Sequence, residues 1–401
     1  MKIKLLAISV FAFTVLSVSL YPLNSGWNVN AKNVVRNLTQ NNTHAQKNKI
    51  EVVFVLDTTG SMSGLIQAAK EKIWSIATSM ASAESSPEIK VGLVAYRDRG
   101  DAYVTKTVGL SQDLDSVYAK LMDFKAAGGG DGPESVNKAL YDAVNNVSWS
   151  QAKGVYKVVF LVGDAPPHMD YRDDVKYPEI IKMAHDKGIV INAIQSGNNQ
   201  STRKQWMHMA SLGQGEYFQV GQSGNAVAIH TPYDKKMATL SKKLDDTRIY
   251  YGTKQEREKQ SAKVKATDKM HSESSLATRA RRAEFNVQKS GKYNRLGKNE
   301  LVDDVVSGRI NLNSLDKDKL PASMLALPTI QQLKVIKENA KLRSELMQEI
   351  KDLSGKRKEY LNAEVNKSGA AEESLDEKIY KTVRQQAAKK GLEYKEGSAA
   401  Y

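Results

Sequence analysis

Residues 51–63 read EVVFVLDTTGSMS, and the organisation of the chain can be worked outward from that stretch. Glu51–Leu56 is apolar after its first residue and rich in β-branched side chains. It does not alternate, and a continuous apolar run suits a parallel strand buried on both faces. A carboxylate, Asp57, closes the run. Hydroxyls follow at Thr59 and Ser61, and a helical pattern begins at Ser63. A strand ending in a carboxylate and running through a tight turn into a helix is one repeat of an alternating α/β chain.

The same rhythm continues downstream. Val91–Tyr96, Val155–Val162, Ile189–Ile194 and the shorter Glu216–Val220 read as further strands. Tyr103–Leu110 alternates apolar and polar, as an antiparallel edge strand does. Helical patterns cover Ser63–Ser82, Leu114–Phe124, Ser135–Val147, Pro178–Lys187, Ser201–Leu212 and a stretch near Asn225–Leu244. The expected fold is therefore α/β: a doubly wound, mostly parallel, Rossmann-like sheet, followed by an α-helical C-terminal region.

Ligands of such sheets sit beyond the carboxyl ends of the strands. Asp57 directly follows the first strand. Asp164 follows the strand over 155–162, with Gly163 between. The glycine-rich loop Gly128-Gly129-Gly130-Asp131-Gly132 opens the helix at Ser135. Topology alone brings three carboxylates to one edge, where they would raise one another's pKa, and a divalent cation relieves that repulsion. Oxygen donors from Asp57, Thr59 and Ser61 suit a hard ion, Mg²⁺ or Mn²⁺. No Cys exists in the chain and no His joins the set, which disfavours zinc. Taken alone, the Asp57–Ser61 turn would also serve as a helix N-cap, but a cap does not account for Asp131 and Asp164.

Residues 49–248 resemble a von Willebrand factor type A (VWA) domain. The Asp57-x-Thr59-x-Ser61 loop is similar to that family's metal-ion-dependent adhesion site (MIDAS), and Val162-Gly163-Asp164 to the position of its second aspartate. The resemblance implies that Asp57, Thr59 and Ser61 coordinate Mg²⁺, with Asp164 binding directly or through water. The family usually supplies a threonine from the glycine-rich loop. This chain has none there, so Asp131 is the candidate replacement and Glu134 the second choice. An added anion tightens metal binding and discourages an acidic sixth ligand. The phrases FVLDTTGSM (54–62), VGLVAYRDRGDAYVTK (91–106), GGGDGPES (128–135), VFLVGDAPPHMDYRDD (159–174) and TPYD (231–234) also resemble a bacterial extracytoplasmic VWA subgroup, over about half the chain.

Charge and hydropathy divide the rest. Residues 1–48 hold five basic side chains and no acid, residues 49–248 hold 23 of each sign, and residues 249–401 hold 31 basic against 22 acidic. Lys2 and Lys4 precede the apolar run Leu5–Leu20, the pattern of a signal peptide over 1–23 or of an uncleaved membrane anchor. Residues 24–48 read as a polar linker. The expected localisation is therefore extracytoplasmic: periplasmic, secreted or anchored. Absence of cysteine excludes a disulfide scaffold, a thiol nucleophile and a lipid-anchored lipoprotein.

Residues 249–315 read as a basic linker or extended helical segment that is solvated, with Arg279-Ala280-Arg281-Arg282 its densest cluster. The alternative is attachment to an anionic envelope surface; nucleic acid is disfavoured because few aromatics accompany the charge. Residues 316–401 read as a helical hairpin or coiled-coil-like tail. Val335, Leu342, Leu346, Ile350 and Leu353 form a stripe that could pair with Leu375, Ile379 and Val383, and the module is open to packing on itself, on the α/β domain or on a partner.

Arg99-Gly100-Asp101 reads as a charged loop, His168 as a rim or packing residue, and Trp74 and Trp149 as packing. The expected function is metal-dependent protein–protein interaction or adhesion, with an open coordination position for a partner's acidic side chain. A metal-dependent phosphohydrolase at the same edge and a structural envelope protein acting through its tail are the competing classes. The chain is not expected to be an enzyme, since it has no HExxH, GxSxG or GxxxxGK[ST] motif.

Overall fold

A computed structural model of the chain describes residues 48–130, 132–222, 229–368 and 375–394. The expected leader and most of the linker lie outside these residues, as does Asp131. Among the described residues no helix is long and apolar enough to cross a membrane.

Six strands form one sheet: β1 Lys49–Asp57, β2 Glu88–Tyr96, β3 Thr105–Ser111, β4 Val155–Gly163, β5 Ile189–Ser196 and β6 Gln214–Val220. Their order is β3-β2-β1-β4-β5-β6. Only β3 runs antiparallel, at the edge beside β2. The order in which strands are added reverses between the parallel neighbours β1 and β4, so the crevice at their carboxyl ends is the topological switch point.

The continuous apolar runs have the predicted cause. In β1 Ile50, Val52, Phe54 and Leu56 enter the core on one face, while Val53 and Val55 enter the core on the other. The first face is covered by α1 (Ser63–Ala81) and α2 (Leu114–Asp123), the second by α3 (Val136–Tyr141), α4 (Tyr177–Asp186) and α5 (Gln200–Leu212). The expected helix over 135–147 is shorter, because the chain passes from α3 into a π turn at Asp142–Asn146. There the buried Asp142 carboxylate gathers Thr105 Oγ1, Lys138 Nζ and Asn146 Nδ2. The next helix, α6, is Asp234–Asp245.

Residues 249–315 correct the expectation of a solvated segment. They fold into α7 (Lys254–Glu273), α8 (Leu276–Val287), α9 (Lys292–Leu296) and α10 (Leu301–Val306). Arg281 and Arg282 are buried, so they do not face an anionic surface. Arg282 is wholly enclosed and reaches Asp115 of α2 (Nε–Oδ1 2.6 Å, Nη2–Oδ2 2.5 Å) and Asp245 of α6 (Nη1–Oδ2 2.7 Å). Thr267 and Asn294 complete the shell around Asp115, and His271 the shell around Asp245. Composition showed the positive charges but not the acids that enclose them.

Of the packings open to the tail, the described residues show mainly the one against the α/β domain and its helical layer. After α11 (Ala322–Leu325), α12 (Thr329–Ser368) runs for 40 residues along the helical layer. Its Leu346 and Ile350 pack with Met237, Leu240 and Leu244 of α6 and Ala280 and Ala283 of α8. Arg343 binds Glu300, and Arg357 binds Asp234 and Glu284. Ile379 and Val383 of α13 (Leu375–Ala388) instead join the first sheet face. Leu361 and Val365 of α12 cluster with Tyr380 of α13. The seat of α13 on the sheet is polar as well as apolar: Asn192 is fully buried on β5 and exchanges two hydrogen bonds with the Gln386 amide (2.8 and 3.2 Å), which also accepts from Tyr156 Oη (2.7 Å). A boundary at 248 therefore does not close the domain, since its first sheet face is completed by α13, which begins only at Leu375.

Candidate metal centre

Asp57 is the last residue of β1 and is paired in register with Tyr96, the last of β2. The turn that follows is built by its own donors. Asp57 Oδ1 accepts from Thr59 N (2.9 Å) and Thr59 Oγ1 (2.7 Å), and Thr59 Oγ1 lies 3.4 Å from Ser61 Oγ. Thr58 N and Oγ1 both donate to Tyr96 O, which holds the turn against β2. Asp57 and Thr59 are buried and Ser61 is exposed, so the site has a closed floor and an open mouth.

Two further loops meet this turn. Gly60 N donates to Gly128 O, and Ala127 N to Thr58 O, so the glycine-rich loop lies along the Asp57 turn. Gly129 has φ +79°, and a Cβ there would lie 3.1 Å from Thr59 Cβ and 3.2 Å from Glu134 Oε1. Only glycine allows that backbone conformation and approach at little cost. Asp101 accepts from Gly129 N, so the Arg99-Gly100-Asp101 loop is occupied in supporting the glycine-rich loop. Glu134 N donates to Pro166 O and His168 N to Glu134 O, which places the loop after β4 alongside. A Cβ at Gly163 would meet Tyr96 Oη and come within 3.0 Å of Asp57 Cβ. Asp164 therefore leaves β4 in close contact with Asp57.

Of the residues read from the sequence, Asp57, Thr59, Ser61 and Asp164 come together. Asp131 lies outside the described residues. Glu134, ranked second in the sequence reading, is buried beside Thr59. The sequence reading passed over three more participants. Tyr96 closes the floor, Arg97 ties the turn to the glycine-rich loop through Thr58 O and Lys125 O, and Gln222 lies over the mouth. Tyr96 and Arg97 carry a recoverable signal, because they end and follow the second apolar run much as Asp57 follows the first. Gln222 carries none. His168 is buried, stacked on Tyr171 and 3.3 Å from Asp98, as a packing residue would be.

Burial pushes the Asp57 carboxyl up to about 7; the Thr59 amide and hydroxyl pull it back, the Asp164 charge raises it, and the nearby Asp164 amide lowers it slightly. Asp57 Oδ2 is buried and meets no donor at hydrogen-bond geometry, and neither does Tyr96 Oη. Burial holds the Tyr96 phenol far above its ordinary range, helped by the charges of Asp57, Glu134 and Asp164. A buried, unsatisfied carboxylate oxygen with two other acids nearby is where a cation would be accommodated. Among the described residues no three His, Asp or Glu side chains meet as a ligand group, so the donor set is mixed, with carboxylates at Asp57 and Asp164 and hydroxyls at Thr59 and Ser61. That set fits a hard divalent cation.

Fold and site together define a doubly wound α/β domain with an acidic, hydroxyl-bearing loop at its switch point. Residues 51–232 match the family model described as von Willebrand factor A domain, and this segment is a VWA domain. Two curated proteins are similar over about 120 residues at 28% identity, each over 30% of this chain. They are an ariadne-like RING finger protein of Acanthamoeba polyphaga mimivirus and the alpha-protein kinase vwkA of Dictyostelium discoideum. The chain spans 11% and 19% of their lengths. Similar solved structures include proximal thread matrix protein 1 from the mussel byssus (16% identity, 44% of this chain and 42% of that one, TM-score 0.35). A von Willebrand factor type A structure from Catenulispora acidiphila is also similar (17% identity, 43% and 39%, TM-score 0.34).

Proposed function

We propose that this chain is an exported binding protein rather than an enzyme. In this reading its VWA domain holds one Mg²⁺ or Mn²⁺ at a MIDAS-like site of Asp57, Thr59, Ser61 and Asp164. The cation's remaining coordination position captures an acidic side chain of a protein partner. The observation that supports the reading is Asp57 Oδ2, buried, with no donor at hydrogen-bond geometry, and beside Asp164. A cation there would be bound by the two carboxylates and would polarise the mouth of the site. Thr59 and Ser61 would orient it, with Thr59 Oγ1 already fixed on Asp57. Export is supported by the basic and apolar pattern of residues 2–20. Titration calorimetry of the full chain with Mg²⁺ and with Mn²⁺, against Asp57→Ala, tests the site. Heat in the wild type that the variant abolishes is expected, and equal heats reject the reading. Retention of the loaded protein on an immobilised Asp/Glu peptide, released by chelator, tests the partner chemistry.

A further inference from the structure

Gln222 follows β6 by two residues, and nothing in the sequence marks it. Its exposed side chain lies across the mouth of the site. Nε2 donates to Asp164 Oδ2 at 2.8 Å and to Ser61 O at 3.2 Å. The single amide nitrogen thus spends its two hydrogens on two loops, one following β1 and one following β4. Its Oε1 rests against Gly197, where φ is +72° and a Cβ would lie 2.5 Å from it.

We infer that Gln222 is a positioning residue of the metal centre, resting on the cation reading above. The neutral amide bridges Asp164 and the Ser61 backbone, so the spacing between the two ligand-bearing loops is set before a cation arrives. It also fixes Asp164 Oδ2 at the mouth, which limits the rotation of that carboxylate. Partners of this kind act by fixing ligand orientation, and their loss lowers metal affinity by about tenfold or more. Gln222→Glu replaces the bridging donor with a third acceptor facing Asp164 Oδ2 and Ser61 O. No proton donor then remains among these oxygens, and a divalent cation is the group that reconciles them.

The two substitutions therefore act in opposite directions, which a merely structural role would not produce. Mn²⁺ alone is titrated calorimetrically into the full chain as wild type, Gln222→Ala, Gln222→Glu and Asp57→Ala, with melting curves recorded in chelator. The expected result is an affinity about tenfold weaker for Gln222→Ala and at or above wild type for Gln222→Glu. The chelated melting curves of wild type and Gln222→Ala should superimpose, because the side chain is exposed. Binding by Gln222→Ala equal to wild type overturns the inference, and so does a parallel loss in both Gln222 variants. If the wild type takes up no Mn²⁺, the cation reading itself fails and this inference fails with it; that outcome is distinct from wild-type binding that Gln222→Ala preserves.

Discussion

Replacing Arg282 by Met should be among the most damaging single substitutions outside the metal centre. The guanidinium is fully enclosed and within 2.7 Å of one carboxylate from α2 and another from α6. Burial alone pushes both acids up, but the Arg282 charge and hydrogen bonds outweigh it and hold Asp115 at about 2, with Asp245 below its ordinary range as well. Removing one member of a buried pair leaves uncompensated charge and costs about 3–5 kcal/mol. The pH dependence gives a second handle. Both folded-state pKa values are depressed, so their contribution is present above an unfolded value of about 3.9 and is lost as pH falls through the folded values. In the variant the Arg282 charge and hydrogen bonds no longer offset burial, and only the weaker help of Lys263 at Asp115 and of Arg248 and His271 at Asp245 is left, so the acids gain protons more readily in the folded state. The stability gap between wild type and variant should narrow between about pH 5 and pH 2. Urea unfolding followed by tryptophan fluorescence reads this directly, because Trp74 lies 5.8 Å from Phe285 of the same helix as Arg282. Adding Asp115→Asn and Asp245→Asn to Arg282→Met should recover most of the loss. A loss below about 1 kcal/mol, or a gap independent of pH, would refute the account of a paired and desolvated cluster.

Asp57→Asn should stabilise the metal-free protein as pH rises, by about 4 kcal/mol at pH 8, because the folded pKa of Asp57 lies near 7. A raised folded value means that protonation stabilises, fully below the unfolded value and no longer above pH 7. Melting in chelator from pH 4 to pH 8 should therefore show wild type falling relative to the variant, and parallel curves would sink the idea. Gln386→Ala leaves buried Asn192 and Tyr156 without their partner and should cost about 1–3 kcal/mol. The check is hydrogen exchange at β4 and β5, where accelerated exchange is expected.

What can be read locally was legible. The strands announced themselves as uninterrupted apolar runs, because a parallel strand covered on both faces has no polar positions to spare. Asp57, Thr59 and Ser61 are neighbours in one turn, and Asp164 is placed by the strand before it. The order β3-β2-β1-β4-β5-β6 then brings the two aspartates to one crevice. Glu134 ranked second because its closeness to Thr59 depends on the left-handed turn at Gly129, a backbone property that composition does not carry.

Other features depend on partners distant in the chain. Gln222 meets Ser61 across 161 residues, Arg282 meets Asp115 across 167, and Gln386 meets Asn192 across 194. The sequence by itself determined a doubly wound domain carrying an oxygen-rich turn at its switch point, since hydrophobic periodicity and turn chemistry are local. Tertiary structure alone decided which charges are buried, which helix closes the sheet and what lies across the mouth of the site. The effect of a buried charge or amide depends on the groups that surround it, and those groups are assembled only when remote segments pack together.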